Sequence, residues 1–392
     1  MRLSRTDRSL VARWWFSVDR QLLAAILMLI VAGFMLSLAA SPAIAMRRGL
    51  GAFFFAKRHA IFLAAGVPVM LAVSMLGAAQ LRRICLMLFL TMAGLMVLVL
   101  LNGQDINGAR RWVQVAGQQL QPSELMKPAF VVLIAWLLAQ ARLRPDMPAM
   151  AIAVAGYLAV ATLLVQQPDI GQTLLLTAVV VLLLFLSGQP LLRLGLIGLL
   201  AVLAVAVAYQ TLPHVHSRID RFLDPAAGST YQMDRARQSI IAGGLLGRGP
   251  GEGEVKNVLP DAHTDYVLAV IAEEYGALAC LLLLALYAFV VFRALSHTWT
   301  ETDLFRRLVV SGLSLLLCVQ TLINAGVNAG LLPAKGMTLP FVSYGGSSII
   351  GMCVTMGLLL AYTRLRPDAP LRRQRPLIGS DTLAVPERQV AA

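Results

Sequence analysis

The sequence predicts an all-α, polytopic integral membrane protein with about ten transmembrane helices and one long extracytoplasmic loop. Three observations carry this. Of 392 residues, 58% are hydrophobic and 14% charged, against roughly 45–50% apolar and about 25% charged in a soluble domain. Apolar runs of ~18 residues or more recur along nearly the whole chain, each long enough to cross a bilayer as a helix. Period-two alternation, which a transmembrane barrel requires, is absent, and only helices satisfy their own backbone across such runs.

The apolar windows fall near 21–41, 59–80, 84–102, 124–141, 148–167, 169–187, 190–211, 264–293, 308–331 and 341–363. The first precedes Ala43-Ile44-Ala45, small residues that mimic a signal-peptidase site. Its apolar run exceeds the ~7–15 residues of a signal h-region, so it reads as an uncleaved helix. Residues 1–20 and the Pro-rich tail 365–392 are polar and basic, with no fold of their own expected. That leaves 21–364 as the membrane domain, with a long polar loop at 212–263 between the seventh and eighth spans. Arg47, Arg48, Lys57 and Arg58 flank Phe53–Phe55, a pattern expected of a segment at the membrane surface.

A formal charge of +13 in a soluble protein would point to nucleic acid. No aromatic-interleaved basic tract is present, and Lys and Arg lie in loops and tails, where they act as topology signals. With the N-terminus inside, one side collects 19 of them and the other 8, setting aside the long loop. Both termini are therefore expected to be cytoplasmic. Cys85, Cys280, Cys318 and Cys353 lie within or beside apolar runs without metal-ligand or disulfide spacing, and read as packing residues.

Four polar clusters fall on the outer side. In Asn107–Lys127, Ser123 is a candidate cap, and Glu124 and Lys127 share a helix face at i, i+3. An acid and a base just inside hydrocarbon are functional candidates by default, because burying them is costly; Glu124 is equally a helix-dipole carboxylate. The second cluster, Gln166–Thr173, brackets Asp169 between Pro168 and Gly171, where it either caps the next helix or serves a site. The third is the long loop. Arg218–Asp224 alternates in sign, Tyr231–Leu246 can form an amphipathic helix lying on the membrane or over a cavity, and Gly247, Gly249, Gly251 and Gly253 give a flexible turn. No strand precedes those glycines, which excludes a dinucleotide fingerprint. Asp265 follows at the top of the eighth span, as a helix cap or a reactive group, with the adjacent Glu273 and Glu274 deeper, of which only one should face any given partner. The fourth, Asn324–Ser348, breaks an apolar region with Gly and Pro and holds Lys335 and the hydroxyls of Ser343, Ser347 and Ser348. Such backbone is tolerated at membrane depth where it is buried in protein or lines a wet cavity. Together the clusters suit an anionic, hydroxyl-rich substrate arriving from the membrane.

The stretches GARRW–QPSELMK, QQPDIGQT, GRGPGEGEVKNVLPDAHTDYVLAVIAEEYG and AGLLPAKGMTLPFVSYGGSS resemble the SEDS family (shape, elongation, division and sporulation), polytopic partners of penicillin-binding proteins. Their order covers the chain from the first span to Arg364. Ala334–Thr338 and the opening Ser4–Arg20 are similar to its cell-division branch. The resemblance implies a peptidoglycan glycosyltransferase that polymerises lipid II, an undecaprenyl-diphosphate-linked disaccharide-peptide. Membrane lipids, a class B penicillin-binding protein transpeptidase and other division proteins are its implied partners. The implied location is the outer face of the bacterial cytoplasmic (inner) membrane, enriched at the division septum. The family's essential aspartate matches Asp265, and its other site residues match Arg111, Glu124, Lys127 and Asp169. Tyr266-Val267-Leu268 departs from the family's commoner Phe-Ile-Phe and changes packing beside Asp265.

The implied reaction converts an α-linked sugar diphosphate into a β-linkage, an inverting displacement that calls for one carboxylate as base. Asp265 is the candidate. Arg111, Lys127 and Lys335 are candidates for the departing diphosphate, with a divalent cation (Mg or Mn) open and no metal-ligand motif visible. Two other readings are a lipid II flippase and a membrane scaffold recruiting division proteins. Transporters usually place charged sites near the midplane between repeats, which this sequence does not do.

Overall fold

The computed structural model describes residues 9–47, 49–103, 110–115, 117–190, 231–333 and 336–365, with isolated positions between 192 and 216. The helices are α1 (Leu10–Ser17), α2 (Arg20–Arg47), α3 (Phe54–Met75), α4 (Ala78–Asn102), α5 (Pro122–Leu143), α6 (Ala149–Gln166), α7 (Ile170–Leu186), α8 (Tyr231–Gly243), α9 (Val267–Ser296), α10 (Leu304–Asn328) and α11 (Gly346–Thr363). Among the described residues, eight helices are long and apolar enough to cross a membrane, and α7 is a shorter apolar one. Nine of the ten expected spans therefore coincide with described helices. The one expected at 190–211 lies largely outside the described residues, as do Arg48, Arg218–Asp224, the first eight residues and the tail from 366. The molecule is an all-α polytopic membrane protein.

Helix α10 is the hub. It packs against α5, α7, α8, α9 and α11, and two-thirds of its most apolar stretch is buried. Helix α11 lies between α3 and α5 and is more enclosed still. Lipid-length helices with exposed faces surround this pair: α4 presents Leu86, Met87, Leu90 and Leu101 outward. Small residues set the closest approaches. A Cβ on Gly351 of α11 would stand 2.6 Å from the carbonyl oxygen of Glu124, and one on Gly357 would stand 2.7 Å from that of Met70.

Several local expectations change. Residues 10–17 are not a featureless tail. Ser9 caps α1, and Trp14 is buried, donating from Nε1 to Ser74 Oγ at 2.9 Å. An aromatic face on a short helix finds a groove that a charge count does not reveal. Phe55 is not a surface anchor. It is buried against His263 and Tyr344, with ring centroids at 4.6 and 5.1 Å. Val113–Val115 and Gln118–Leu120 form a small antiparallel hairpin turning at Gly117, which adopts φ 74 as such turns demand. Ser123 is not a helix cap, since Gln121 holds that position and Pro122 opens the helix, where a missing N–H costs nothing.

At the end of the bundle where α2 begins, Asp19 caps α2 through the amides of Gln21 and Leu22. Its Oδ2 receives Arg293 Nε at 2.8 Å and lies 2.6 Å from His297 Nε2. Burial alone would raise this carboxyl. The Leu22 amide, His297 and Arg293 outweigh it and hold Asp19 below the ordinary carboxylate value. The start of α2 is thereby tied to the far end of α9.

Candidate active site

The site is built where α9 begins, beside the polar face of α10 and the irregular segment 336–345. Gln320, Asn324 and Asn328 recur every four residues on α10, so they line one helix face. Each holds main-chain groups of the neighbouring segments. Gln320 Nε2 donates to the Thr338 carbonyl at 3.1 Å, and Asn324 Nδ2 donates to Met337 and Asp265 carbonyls at 2.8 and 3.1 Å. Asn328 Nδ2 also donates to the Asp265 carbonyl, at 2.9 Å, and its Oδ1 accepts from the Ala269 amide at 2.9 Å. The peptide of Asp265 is thus gripped by two buried side chains.

Asp265 does not act as the cap of α9. Tyr266 occupies that position without a side-chain cap bond of its own, and the Ala269 amide of the first turn is taken by Asn328 Oδ1. The Asp265 side chain is partly exposed. A Cβ built on Gly336 would stand 3.9 Å from Asp265 Oδ2, and Gly336 adopts φ 65. Glycine there turns the chain in a left-handed conformation and brings its backbone beside the carboxylate. Ser343 locks the same loop to the α9 entry, donating to the Thr264 carbonyl and accepting from the Leu339 amide at 2.8 Å. Tyr344 N donates to the His263 carbonyl at 2.8 Å. The hydroxyl of Ser343 is therefore engaged within the fold. Ser347 is buried in the first turn of α11, and Ser348 pairs with Thr338 at 2.7 Å.

A chain of buried polar groups runs from here to the other expected residues. Lys127 Nζ lies 2.8 Å from Glu124 Oε2 and donates to Gln320 Oε1 at 3.1 Å. Glu124 Oε1 receives Gln172 Nε2 at 2.6 Å. Asp169 caps α7 through the Gln172 amide and accepts from Gln121 Nε2 at 3.2 Å, with Arg111 Nη1 at 3.8 Å. Arg111 itself donates to the carbonyls of Gln167, at 2.9 Å, and Pro168. Glu124, Lys127 and Asp169 are all buried. So Arg111, Asp169, Glu124 and Lys127 form one network that meets the Asp265 clamp at α10. Lys335 lies outside the described residues.

Gln121, Gln172, Gln320, Asn324 and Asn328 are the contributors that the sequence reading missed. The four-residue spacing of the last three, which places them on one helix face, is the available signal.

Along the first part of α9, which folds back on the second part at Gly276 so that Cys280 Sγ lies 3.6 Å from the Leu268 carbonyl, the long loop is fastened to the helix. Glu273 accepts from the amides of Glu254, Val255 and Lys256 at 2.8, 2.7 and 2.9 Å and from Ser239 Oγ at 2.8 Å, while Glu274 pairs with Lys256 Nζ. Both adjacent carboxylates thus engage the same loop segment, contrary to expectation, because the loop wraps across the helix face. The turn expected to be flexible is pinned. Helix α9 breaks at Gly276 (φ 82, ψ 172). The loop fills the break: Ala277 N and Leu278 N donate to the Gly244 and Leu245 carbonyls at 2.9 and 3.2 Å.

Residues 20–366 match the family model described as "Cell cycle protein", which groups FtsW, RodA and SpoVE. The chain belongs to the FtsW/RodA/SpoVE family. A Caulobacter vibrioides member, named a probable peptidoglycan glycosyltransferase FtsW, is 42% identical over 367 residues, covering 93% of this chain and 94% of that one. A Pseudomonas fluorescens protein of the same name is 36% identical, covering 88% and 87%. Among solved structures of the family, RodA from Thermus thermophilus superposes with a TM-score of 0.66 at 28% identity, covering 89% of this chain and 97% of that one. A chain from a peptidoglycan synthase complex, solved for its coordination of polymerisation and crosslinking, gives 0.72 at 28% identity, covering 89% and 98%.

Proposed function

We propose that this chain is a peptidoglycan glycosyltransferase of cell division that polymerises lipid II at the outer face of the cytoplasmic membrane. Its end-to-end likeness to FtsW relatives supports the activity. The observation that carries the assignment of chemistry is Asp265, partly exposed, outside the cap position of α9, with its own main chain clamped by Asn324 and Asn328.

In this reading the Asp265 carboxylate takes the proton from the attacking sugar 4-hydroxyl, and the α-linked diphosphate departs from the opposite face. Fixing a base by its backbone is the kind of preorganisation that positioning demands. Arg111 and Lys127 place positive charge along the network, with Lys335 as the remaining candidate for the diphosphate. Glu124, Asp169, Ser343 and Ser347 hold the surrounding shape. Among the described residues no group of three or more His, Cys, Asp or Glu side chains converges. A divalent cation, Mg or Mn, would thus enter with the substrate diphosphate, which supplies the oxygens such ions prefer, and no step above depends on it. A class B transpeptidase is the proposed partner, with the other division proteins at the septum.

Purified wild type and Asp265→Asn, each with the partner transpeptidase, are to be given labelled lipid II in detergent. Wild type is expected to build glycan chains and the variant none. Equal polymer from both would remove Asp265 from the mechanism. Absence of polymer from wild type would return the flippase reading, since detergent offers no second leaflet.

A further inference from the structure

Between α10 and α11 the chain enters the bundle as a tight turn. The Leu339 carbonyl accepts from the amides of Val342 and Ser343 at 3.2 and 3.0 Å, and Ser343 Oγ accepts from the Leu339 amide, so residues 339–343 close on themselves. At the tip, buried Phe341 adopts φ 63. A bulky residue takes that left-handed backbone only where its surroundings impose it. Two contacts do so. A Cβ on Gly33 of α2 would stand 2.7 Å from the Phe341 carbonyl oxygen, so the missing side chain there admits the turn. The neighbouring Pro340 carbonyl accepts from the buried Tyr287 hydroxyl, its one hydrogen-bond donor among the described residues.

Both contacts come from the middle of helices of membrane-spanning length. Gly33 sits halfway along the 28 residues of α2. Tyr287 sits halfway along the second part of α9, from Gly276 to Ser296, which is ~30 Å of helix and the thickness of a hydrocarbon core. Water does not satisfy a carbonyl at such a level, so the protein must. The Tyr287 hydroxyl therefore decides where the tip of the turn can rest.

The other end of the turn holds main chain beside Asp265. Ser343 Oγ donates to the Thr264 carbonyl and Tyr344 N to the His263 carbonyl, while the rings of Tyr344 and His263 stack with centroids 5.8 Å apart. Two handles thus set the Asp265 carboxylate: α10 grips its own carbonyl, and the turn grips the two carbonyls before it.

We infer that Tyr287 is a positioning residue for the chemistry of Asp265. Through the Pro340 carbonyl it seats the 339–343 turn, and the turn seats the peptides that lead into the carboxylate. Because α9 folds back at Gly276, the second part of the helix steadies the entry to the first. This role rests on the glycosyltransferase reading proposed above.

The test uses the full chain with its partner transpeptidase and labelled lipid II in detergent. Tyr287→Phe keeps the ring and removes only the hydroxyl. Its rate at saturating lipid II is expected to fall about 10-fold, as misplacement of a reacting group does, with KM near that of wild type. Hydrogen exchange read by mass spectrometry is expected to quicken in peptides covering 261–266 and 339–344 and to stay unchanged in α10. Tyr157→Phe is the control, removing a hydroxyl that joins α6 to α7 at 2.7 Å from Thr177 Oγ1, and is expected to keep wild-type turnover. Wild-type turnover in Tyr287→Phe, unchanged exchange at 261–266, or an equal loss in Tyr157→Phe each overturns the positioning role while leaving the glycosyltransferase reading intact. A wild type that builds no polymer overturns both.

Discussion

Asn328 holds the carbonyl of Asp265 and the amide of Ala269 at once, both at 2.9 Å. One side chain thus fixes the residues on either side of the first turn of α9, and with it the direction from which the carboxylate leaves the backbone. Replacing Asn328 by Ala leaves the Asp265 carbonyl to Asn324 and the Ala269 amide to the Tyr266 carbonyl, removing one hydrogen bond from each at about 0.5–1.5 kcal/mol. Polymerisation by Asn328→Ala is expected to fall about 10–100-fold if that loss appears in the barrier, with little change in lipid II binding. Asn328→Asp keeps the acceptor for Ala269 and loses the donor for Asp265. Wild-type turnover in both variants would show that the clamp does not position the base.

The Glu124–Lys127 pair is buried on both sides. Removing one member of a buried pair costs about 3–5 kcal/mol, whereas replacing both by neutral groups is much milder. Lys127→Met should therefore lower the unfolding temperature in detergent more than the double variant Glu124→Gln/Lys127→Met does. Additive losses would contradict the coupling.

Three glycines give a graded series. Gly247 has φ 82 and would place a Cβ 2.2 Å from the Glu274 carbonyl oxygen, whereas Gly251 has φ 89 with open space around it. Gly247→Ala is expected to prevent stable accumulation. Gly251→Ala should cost only the left-handed strain of about 1–2 kcal/mol. Gly156, inside α6 with nothing near its Cβ position, should tolerate Ala with a gain of about 0.5–1 kcal/mol. Thermal unfolding of the three ranks them.

The Leu22 amide, His297 and Arg293 hold the Asp19 carboxyl below the ordinary carboxylate value. A depressed carboxylate stabilises the fold above its unfolded value, and that stabilisation disappears as pH falls through the lower folded one. The melting-temperature gap between wild type and Asp19→Asn should thus stay constant from neutral pH down to about 4 and narrow below it. A gap that opened on acidification would contradict the sign.

The spans were legible because hydrocarbon thickness dictates run length, and nine of ten were found where apolar windows placed them. The Glu124–Lys127 pair and the Asp169 cap followed from helix geometry over three residues. What stayed hidden depends on distant contacts. Asn324 and Asn328 read as part of a broken segment, because nothing local says that their partner is a carbonyl some sixty residues away. Gly276 lies in an apolar stretch, and nothing local shows that the carbonyls of Gly244 and Leu245 fill its break.

Glu273 and Glu274 also make the loop and the first part of α9 one unit. Both are fully enclosed, and the groups that engage them include three consecutive amides and a lysine from the preceding loop. Without that loop in place, two carboxylates would stand uncompensated in a low-dielectric interior, which is costly. A change in the loop that loosens those amides therefore reaches the helix that carries Asp265 without touching the site itself.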